Sequence, residues 1–226
     1  MNKSPGRAFT LIELLVVISI VMLVATFVVP AVVGVSKGRN FGSEVDQISD
    51  FLDEARAAAM ANNTYVWVGM LPIAAGAPGD IDGVNEVVMA AVSAKNGQST
   101  DLAQNNYIPL GKGTIFKNIM PTTTPQGQFG VSILPKSGRE ANADYLSISS
   151  TPGIFGTFSE TVGAVKIGGK PPVFTTVIQF GPLGDAKIKS TASRCIEIDL
   201  ESWPNTPQQP GIVQIDGLTG QVRTYK

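Results

Sequence analysis

The chain has 226 residues, a formal net charge of −1, no histidine and a single cysteine. Without histidine it lacks the commonest general base, the Ser-His and Cys-His nucleophile pairs and most zinc and haem ligand sets. The 17 basic and 18 acidic side chains form no basic field for nucleic acid, and the lone Cys195 excludes an internal disulfide. We therefore expect no catalytic residue, no metal, no cofactor and no nucleic-acid partner.

The amino-terminal segment joins two basic residues to a long apolar run. Lys3 and Arg7 precede Phe9-Thr-Leu-Ile-Glu13, and 22 uncharged residues fill positions 14 to 35. At about 1.5 Å per residue these reach roughly 33 Å, enough to cross a hydrocarbon core of about 30 Å. An ionised Glu13 near hydrocarbon costs on the order of 2 to 3 kcal/mol, so it needs a partner such as a free amino terminus. We predict a transmembrane helix over residues 9–35 with Glu13 as a functional carboxylate.

This segment resembles the amino-terminal signature of type IV pilins and of the pseudopilins of type II secretion systems. The resemblance rests on Phe9-Thr-Leu-Ile-Glu13 and the apolar helix that follows. It implies that a prepilin peptidase removes residues 1–8 by cutting between Ala8 and Phe9, that Phe9 is then N-methylated, and that Glu13 acts in filament assembly. The family usually has Gly before the cut, where this chain has Ala8. Gly6 is an alternative cut site, but it takes Glu13 out of the family's spacing.

A secretory signal peptide or an uncleaved signal anchor is the alternative to a prepilin leader. Secretory signals have an apolar region of about 7 to 15 residues, and this run is longer. Charge does not orient the segment, because Lys37 and Arg39 balance Lys3 and Arg7. The family resemblance implies a single-pass protein of the bacterial inner membrane with a periplasmic carboxyl-terminal domain.

Pro30 interrupts the predicted membrane helix. It removes one helical N–H and deprives the carbonyl of Thr26 of its usual donor, which predicts a kink at this point. Prolines are also tolerated in membrane helices without such a role. Gly34, Gly38 and Gly42 share one face, and they indicate either close helix approach or a flexible stretch.

Residues 36–62 are predicted to continue the helix in amphipathic form, ending at Asn62-Asn63. Apolar side chains recur at steps of three and four: Phe41, Val45, Ile48, Leu52, Ala55 and Ala59. The acidic side chains are interpreted as a solvated face: Glu44, Asp46, Asp50, Asp53 and Glu54.

Residues 63–226 are predicted to form a mainly antiparallel β domain, because short β-branched or aromatic runs alternate with Gly, Pro and Asn. The predicted strands are Thr64–Leu71, Glu86–Ser93, Gly127–Leu134, Tyr145–Ser149, Pro172–Phe180, Arg194–Leu200 and Gly211–Lys226, the last containing a hairpin around Gly217–Gly220. Long loops are expected near 72–84, 94–106, 117–127 and 150–171. The predicted fold is α+β and pilin-like: one long amino-terminal helix, with a membrane half and an amphipathic half, packs on a carboxyl-terminal β domain.

Two further stretches resemble the H-type minor pseudopilins. They are Ala55–Asn63, and Val177–Gly184 with the distant Thr219–Arg223. This resemblance favours a minor subunit over a major one.

Three other motifs suggest chemistry. Asp80-Ile-Asp82-Gly-Val-Asn85-Glu86 offers oxygen ligands for calcium but lacks EF-hand spacing, so we interpret it as a polar loop. Gly163–Lys170 fails the spacing of a phosphate loop. Asp199 and Glu201 share a predicted strand face and would be needed by an exported hydrolase, but they have no obvious second partner.

The sequence therefore predicts a structural subunit of a type II secretion pseudopilus or a type IV pilus-like filament. The resemblance implies four kinds of partner: other pilin or pseudopilin subunits, the prepilin peptidase and methyltransferase, an inner-membrane assembly platform, and membrane lipid. The alternative function is a signal-anchored periplasmic binding module that does not polymerise.

Overall fold

The computed structural model describes residues 11–121, 144–146, 155–202 and 210–225, and only the backbone of 25–40, 144 and 145. The chain divides into two compact units, Met1–Asn40 and Phe41–Lys226. This division falls inside the predicted amphipathic segment 36–62. The strand predicted at Gly127–Leu134, and all but the first residue of the one at Tyr145–Ser149, lie outside the described residues.

Helix α1 has the bounds Leu11–Ala61. Its carboxyl end is closed by the amide of Asn62, which donates to Ala58 O at 3.0 Å, and by the amide of Thr64, which donates to Ala59 O at 3.0 Å. Asn63 between them is left-handed, with φ 47°. Such a residue just after the last turn ends a helix, and Asn tolerates this conformation better than most residues. The end predicted at Asn62-Asn63 is confirmed.

Thirteen strands follow within the described residues. They are β1 (Val66–Ile73), β2 (Glu86–Ala94), β3 (Tyr107–Pro109), β4 (Thr114–Lys117), β5 (Ile119–Pro121), β6 (Asp144–Tyr145), β7 (Phe158–Ser159), β8 (Val173–Phe174), β9 (Thr176–Phe180), β10 (Ala186–Lys187), β11 (Cys195–Ser202), β12 (Pro210–Asp216) and β13 (Val222–Tyr225).

The described strands form two larger sheets and a small one. Sheet A has the order β10-β9-β1-β2-β3, and β4 also pairs with β2. Sheet B has the order β13-β12-β11-β5, and β6 also pairs with β11. Strands β7 and β8 pair separately. The pairing of β6 with β11 is parallel, and the others in the described sheets are antiparallel. The predicted α+β class with mainly antiparallel sheets is confirmed.

One buried cluster joins α1 to both sheets. The predicted apolar face of the helix is buried at every position: Phe41, Val45, Ile48, Leu52, Ala55 and Ala59. The same cluster contains Val68 and Met89 of sheet A, and Ile198 and Val213 of sheet B. The second half of α1 is therefore a shared core element, as its hydrophobic periodicity predicts.

A second cluster covers the opposite face of sheet A. It contains Trp67 of β1, Phe158 of β7 and Phe174 of β8, and the rings of the last two stack with centroids 4.9 Å apart. Gly69 of β1 is required beneath them, because an added Cβ would lie 2.5 Å from Cβ of Phe174. The glycine lets this aromatic pair approach the sheet backbone closely.

The structure differs from the predicted strands in several places, and β3, β4 and β10 lie where no strand was predicted. The run Pro172–Phe180 is two strands, because β8 pairs with β7 while β9 pairs with β1. Strand β5 lies inside the predicted loop 117–127, where it pairs with the distant β11. Strand β7 lies inside the predicted loop 150–171. Each missed strand has only two to four residues, too few for a clear alternating pattern.

Replacing Leu52, which is fully buried, by Ala should lower the free energy of unfolding by about 2 to 5 kcal/mol, because it leaves a cavity between α1 and the sheets. The matched control is Asp50→Ala on the exposed side of the same turn, which should change it by less than about 0.5 kcal/mol. Denaturant unfolding of the full chain in detergent measures both. Equal effects of the two substitutions would contradict the shared core.

Candidate functional site

The first described turns of α1 present apolar side chains to solvent all around the helix. The exposed residues are Leu11, Ile12, Leu14, Leu15, Val16, Val17, Ile18, Ile20, Val21, Met22, Leu23 and Val24. A helix that is apolar on every face is stable only when something apolar surrounds it. This segment therefore presents a large exposed apolar surface.

Two polar side chains interrupt this apolar surface. Ser19 donates its hydroxyl to the carbonyl oxygen of Leu15 at 2.8 Å, which satisfies the hydroxyl within its own helix. Glu13 is the acidic residue in the first turn of α1, and it is exposed. A carboxylate near the amino terminus of a helix is favoured by the helix dipole. Glu13 is thus the charge that an apolar environment around this segment would have to accommodate.

The remaining predicted site residues of this segment are not described in side-chain detail. Ala8 and Phe9 lie outside the described residues. Pro30 lies in α1, in the part of which only the backbone is described. The cut, the methylation and the kink stay predictions. Across the described residues, no helix is long and apolar enough to cross a membrane.

The acidic side chains of the second half of α1 are not all solvated. The carboxyl group of Glu44 lies near the backbone N–H of Lys117 in β4, and that of Asp53 lies near the backbone N–H of Val222 in β13. Burial raises the pKa of both carboxyl groups, although these nearby N–H groups act in the opposite direction. The helix thus places a carboxyl group beside an edge strand of each sheet, and charged side chains at an edge discourage pairing with another chain.

The acidic loop 74–85 is held by its own hydrogen bonds. Asp80 accepts the amides of Gly76 at 2.6 Å, Asp82 at 3.1 Å and Gly83 at 2.8 Å. These bonds lower the pKa of the Asp80 carboxyl, with the bond from Gly76 contributing most. Asn85 accepts the amide of Ala75 through Oδ1 at 2.7 Å. Within the described residues, no group of three or more His, Cys, Asp or Glu side chains is placed to hold a metal ion.

A lysine shared by several carboxyl groups lies beside this loop. The Lys117 ammonium group pairs with the Asp82 carboxylate, and both side chains are about half exposed. Glu86 lies directly opposite Lys117 in the pairing of β2 with β4. The Glu86 side chain is 0% exposed, and neither of its carboxyl oxygens has a hydrogen-bond partner. Burial raises the pKa of Glu86, Lys117 lowers it, and the nearby Asp82 and Asp80 charges raise it.

The candidates for chemistry in sheet B lie on β11, among residues of the core. Cys195 is buried, and its thiol hydrogen-bonds to the carbonyl of Ile196 at 3.6 Å. Asp199 and Glu201 alternate with core residues on β11, as predicted. On the same face Glu197 accepts a hydrogen bond from Gln214 Nε2 of β12 at 2.5 Å, and both side chains are buried. Sequence patterns did not reveal this pair, because a strand pattern does not show which residue lies opposite.

Comparison with known proteins matches one part of the chain. A family model described as a prokaryotic N-terminal methylation motif matches residues 4–29, which include Ala8, Phe9 and Glu13. No curated protein and no solved structure matches the chain. The match confirms a type IV pilin-like leader with its methylation motif.

The leader motif indicates a type IV pilin-like or pseudopilin protein, and it points to a structural protein rather than an enzyme. It implies processing by a prepilin peptidase and assembly with other pilin subunits. It is also consistent with a membrane-anchored protein.

Glu86 should make stability depend on pH. Because its folded-state pKa is raised, the folded chain binds the proton more tightly than the unfolded chain, so stability falls as pH rises from the unfolded pKa through the folded pKa. Glu86→Gln should remove this fall and leave the variant more stable than the parent above that window. Denaturant unfolding across a pH series measures the difference, and parallel pH curves would contradict the assignment.

Proposed function

We propose that this chain is a structural subunit, a minor pseudopilin or minor pilin, of a type II secretion pseudopilus or a type IV pilus-like filament. The observation that carries this proposal is the methylation motif over residues 4–29, with Glu13 in the first turn of an exposed apolar helix. In this proposal residues 1–8 are a cleaved leader, 9–35 a transmembrane helix, 36–62 its amphipathic continuation, and 63–226 a periplasmic β domain.

Cleavage between Ala8 and Phe9 would create a cationic group that can pair with Glu13 of another subunit. The new terminal amine would be cationic, and N-methylation keeps its charge. Phe9 and Glu13 are four residues apart, so on a helix they share one face and one turn of depth. Because a charge pair is stronger in apolar surroundings than in water, the amine of one subunit and Glu13 of its neighbour would fix the register between subunits.

The apolar surface of α1 would serve two environments in turn. Before assembly its side chains from Leu11 to Val24 would face lipid of the inner membrane. An inner-membrane assembly platform would transfer the subunit into the filament. There the same side chains would face the helices of other subunits. Ser19 suits both environments, since its hydroxyl is already bonded within the helix. Pro30 would allow the helix to bend between the two packings.

The segments that resemble H-type minor pseudopilins meet in space: Ala55–Asn63, Val177–Gly184 and Thr219–Arg223. Arg56 Nε donates to the carbonyl oxygen of Thr219 at 2.6 Å. Ala186, just after the turn Gly181–Gly184, donates its amide to Gly217 O at 3.0 Å. Gly184 and Gly220 both lie against Arg56 and each other, where a side chain at either would collide. The end of α1 and the two glycine turns thus form one local unit.

The competing function is a signal-anchored binding module that stays a monomer in the periplasm. It shares the anchor but needs neither a methylated terminus nor Glu13. The two functions therefore differ at the amino terminus, and the β domain does not distinguish them.

Mass spectrometry of the membrane form tests the processing step. We expect the mass of residues 9–226 plus one methyl group, with Phe9 as the amino-terminal residue, and an unprocessed chain in a host that lacks the peptidase. An Ala8→Gly variant should be cut at the same bond, because Gly is the usual residue there. A retained Met1, or a terminus created at Gly6, would overturn the proposed cut.

Replacing Glu13 by Ala tests the assembly step. The variant should be cleaved normally, but its incorporation into filaments beside parent subunits should fall about tenfold or more, since a hydrogen bond to a charged group is worth about 1.5 to 3 kcal/mol. Ser19→Ala in the same helix is the matched control and should assemble normally. Immunoblotting of sheared or cross-linked filaments measures incorporation, and normal assembly of the Glu13 variant would refute the pairing.

A further inference from the structure

The environment of Lys117 contains more carboxyl groups than one ammonium group can neutralise. Asp82 of the loop 74–85 pairs with it, Glu86 of β2 lies directly across the strand pair, and Glu44 of α1 attracts it from the helix side. Asp80 adds a further negative charge near Glu86. On the β1 side Glu86 has the apolar Ile73 opposite it, which offers no partner.

Glu86 and Lys117 are closely opposed. The amide of Asn118 donates to Asn85 O at 2.8 Å. Hydrogen-bonded and non-hydrogen-bonded pairs alternate along an antiparallel ladder. The neighbouring pair of Glu86 and Lys117 is therefore a non-hydrogen-bonded pair. At such sites the side chains of opposite residues approach most closely, with Cβ atoms about 4.5 to 5.5 Å apart. The carboxyl groups of Asp82 and Glu86 therefore both lie within reach of the Lys117 ammonium group, whose single positive charge can neutralise only one of them.

We propose that Glu86 and Asp82 compete for Lys117, and that ionisation of Glu86 draws the ammonium group from Asp82 and releases the loop 74–85. A neutral Glu86 is buried at much lower cost than an ionised one, which requires a cation because an unpaired buried charge is strongly unfavourable. The Asp82 carboxylate is half exposed and can return to water at small cost. The ion pair of Asp82 with Lys117 is thus formed when Glu86 is protonated and lost when Glu86 is ionised. We call this ion pair the latch.

The raised pKa of Glu86 places the opening of the latch at a higher pH than an ordinary glutamate would give. Burial is the main cause, and the charges of Asp82 and Asp80 add to it, while Lys117 acts against them. The released part is the exposed tip that Asp82 ties to β4. Strand β4 is held by its pairing with β2, so the change is confined to the loop.

Hydrogen exchange of the full chain in detergent micelles, followed by mass spectrometry across a pH series, tests this proposal. The reporting amides are those of Gly76, Asp82 and Gly83, which donate to Asp80. Their protection, corrected for intrinsic exchange, should fall about two- to fivefold as Glu86 ionises, the range expected for loss of an exposed ion pair. The loop 95–106 is an internal control, because Asp101 there accepts the amides of Asn96 and Gln98 without a lysine partner.

Three variants distinguish loss of the ion pair between Asp82 and Lys117 from a general loss of stability in the loop 74–85. Glu86→Gln should keep the loop protected at every pH, and Asp82→Asn should leave it open at every pH. Lys117→Met removes the shared cation and should also abolish the pH dependence, which keeps the test valid if the Glu86 variant folds poorly. Protection that does not change with pH in the parent, or an equal fall in Glu86→Gln, would overturn the proposal.

Discussion

The architecture depends on one helix face that serves as core for two sheets. Side chains from Phe41 to Ala59 are buried together with residues of both sheet A and sheet B. Both sheets contribute residues to that cluster together with the helix. Because apolar burial contributes roughly 25 cal/mol per Å², a continuous apolar stripe of this length supplies a large part of the domain's stability.

Carboxyl groups on the polar side of the same helix lie beside edge strands of both sheets. Glu44 and Asp53 lie near outward-facing backbone N–H groups of β4 and β13. Exposed strand edges invite pairing with other chains. A subunit proposed to polymerise through its apolar helix benefits from this arrangement, because association through strand edges would compete with ordered assembly.

Much of the fold could be predicted from local features of the sequence. The helix end at Asn62-Asn63, the buried face of α1, strands β1, β2 and β11, and the hairpin of β12 and β13 follow from local periodicity and turn chemistry. The hairpin turn is closed by Asp216, whose carboxylate accepts the amides of Leu218 at 3.0 Å and Thr219 at 2.8 Å. The short strands β5 and β7, the Glu197 pair with Gln214, and the environment of Glu86 depend on which distant strands lie side by side. The motif at the amino terminus is local, so it could be recognised, whereas its partners belong to other chains.

The proposed filament contact joins Glu13 to the amino terminus of a neighbouring subunit. Zero-length carbodiimide cross-linking of assembled filaments, followed by peptide mass spectrometry, can detect this contact, because the reaction joins only a carboxyl and an amine in contact. We expect a peptide in which the Glu13 carboxyl is joined to the amino-terminal nitrogen of an adjacent subunit, and we expect its loss in a Glu13→Gln chain. Filaments that contain the chain but yield no such peptide, while other contacting pairs are joined, would contradict it.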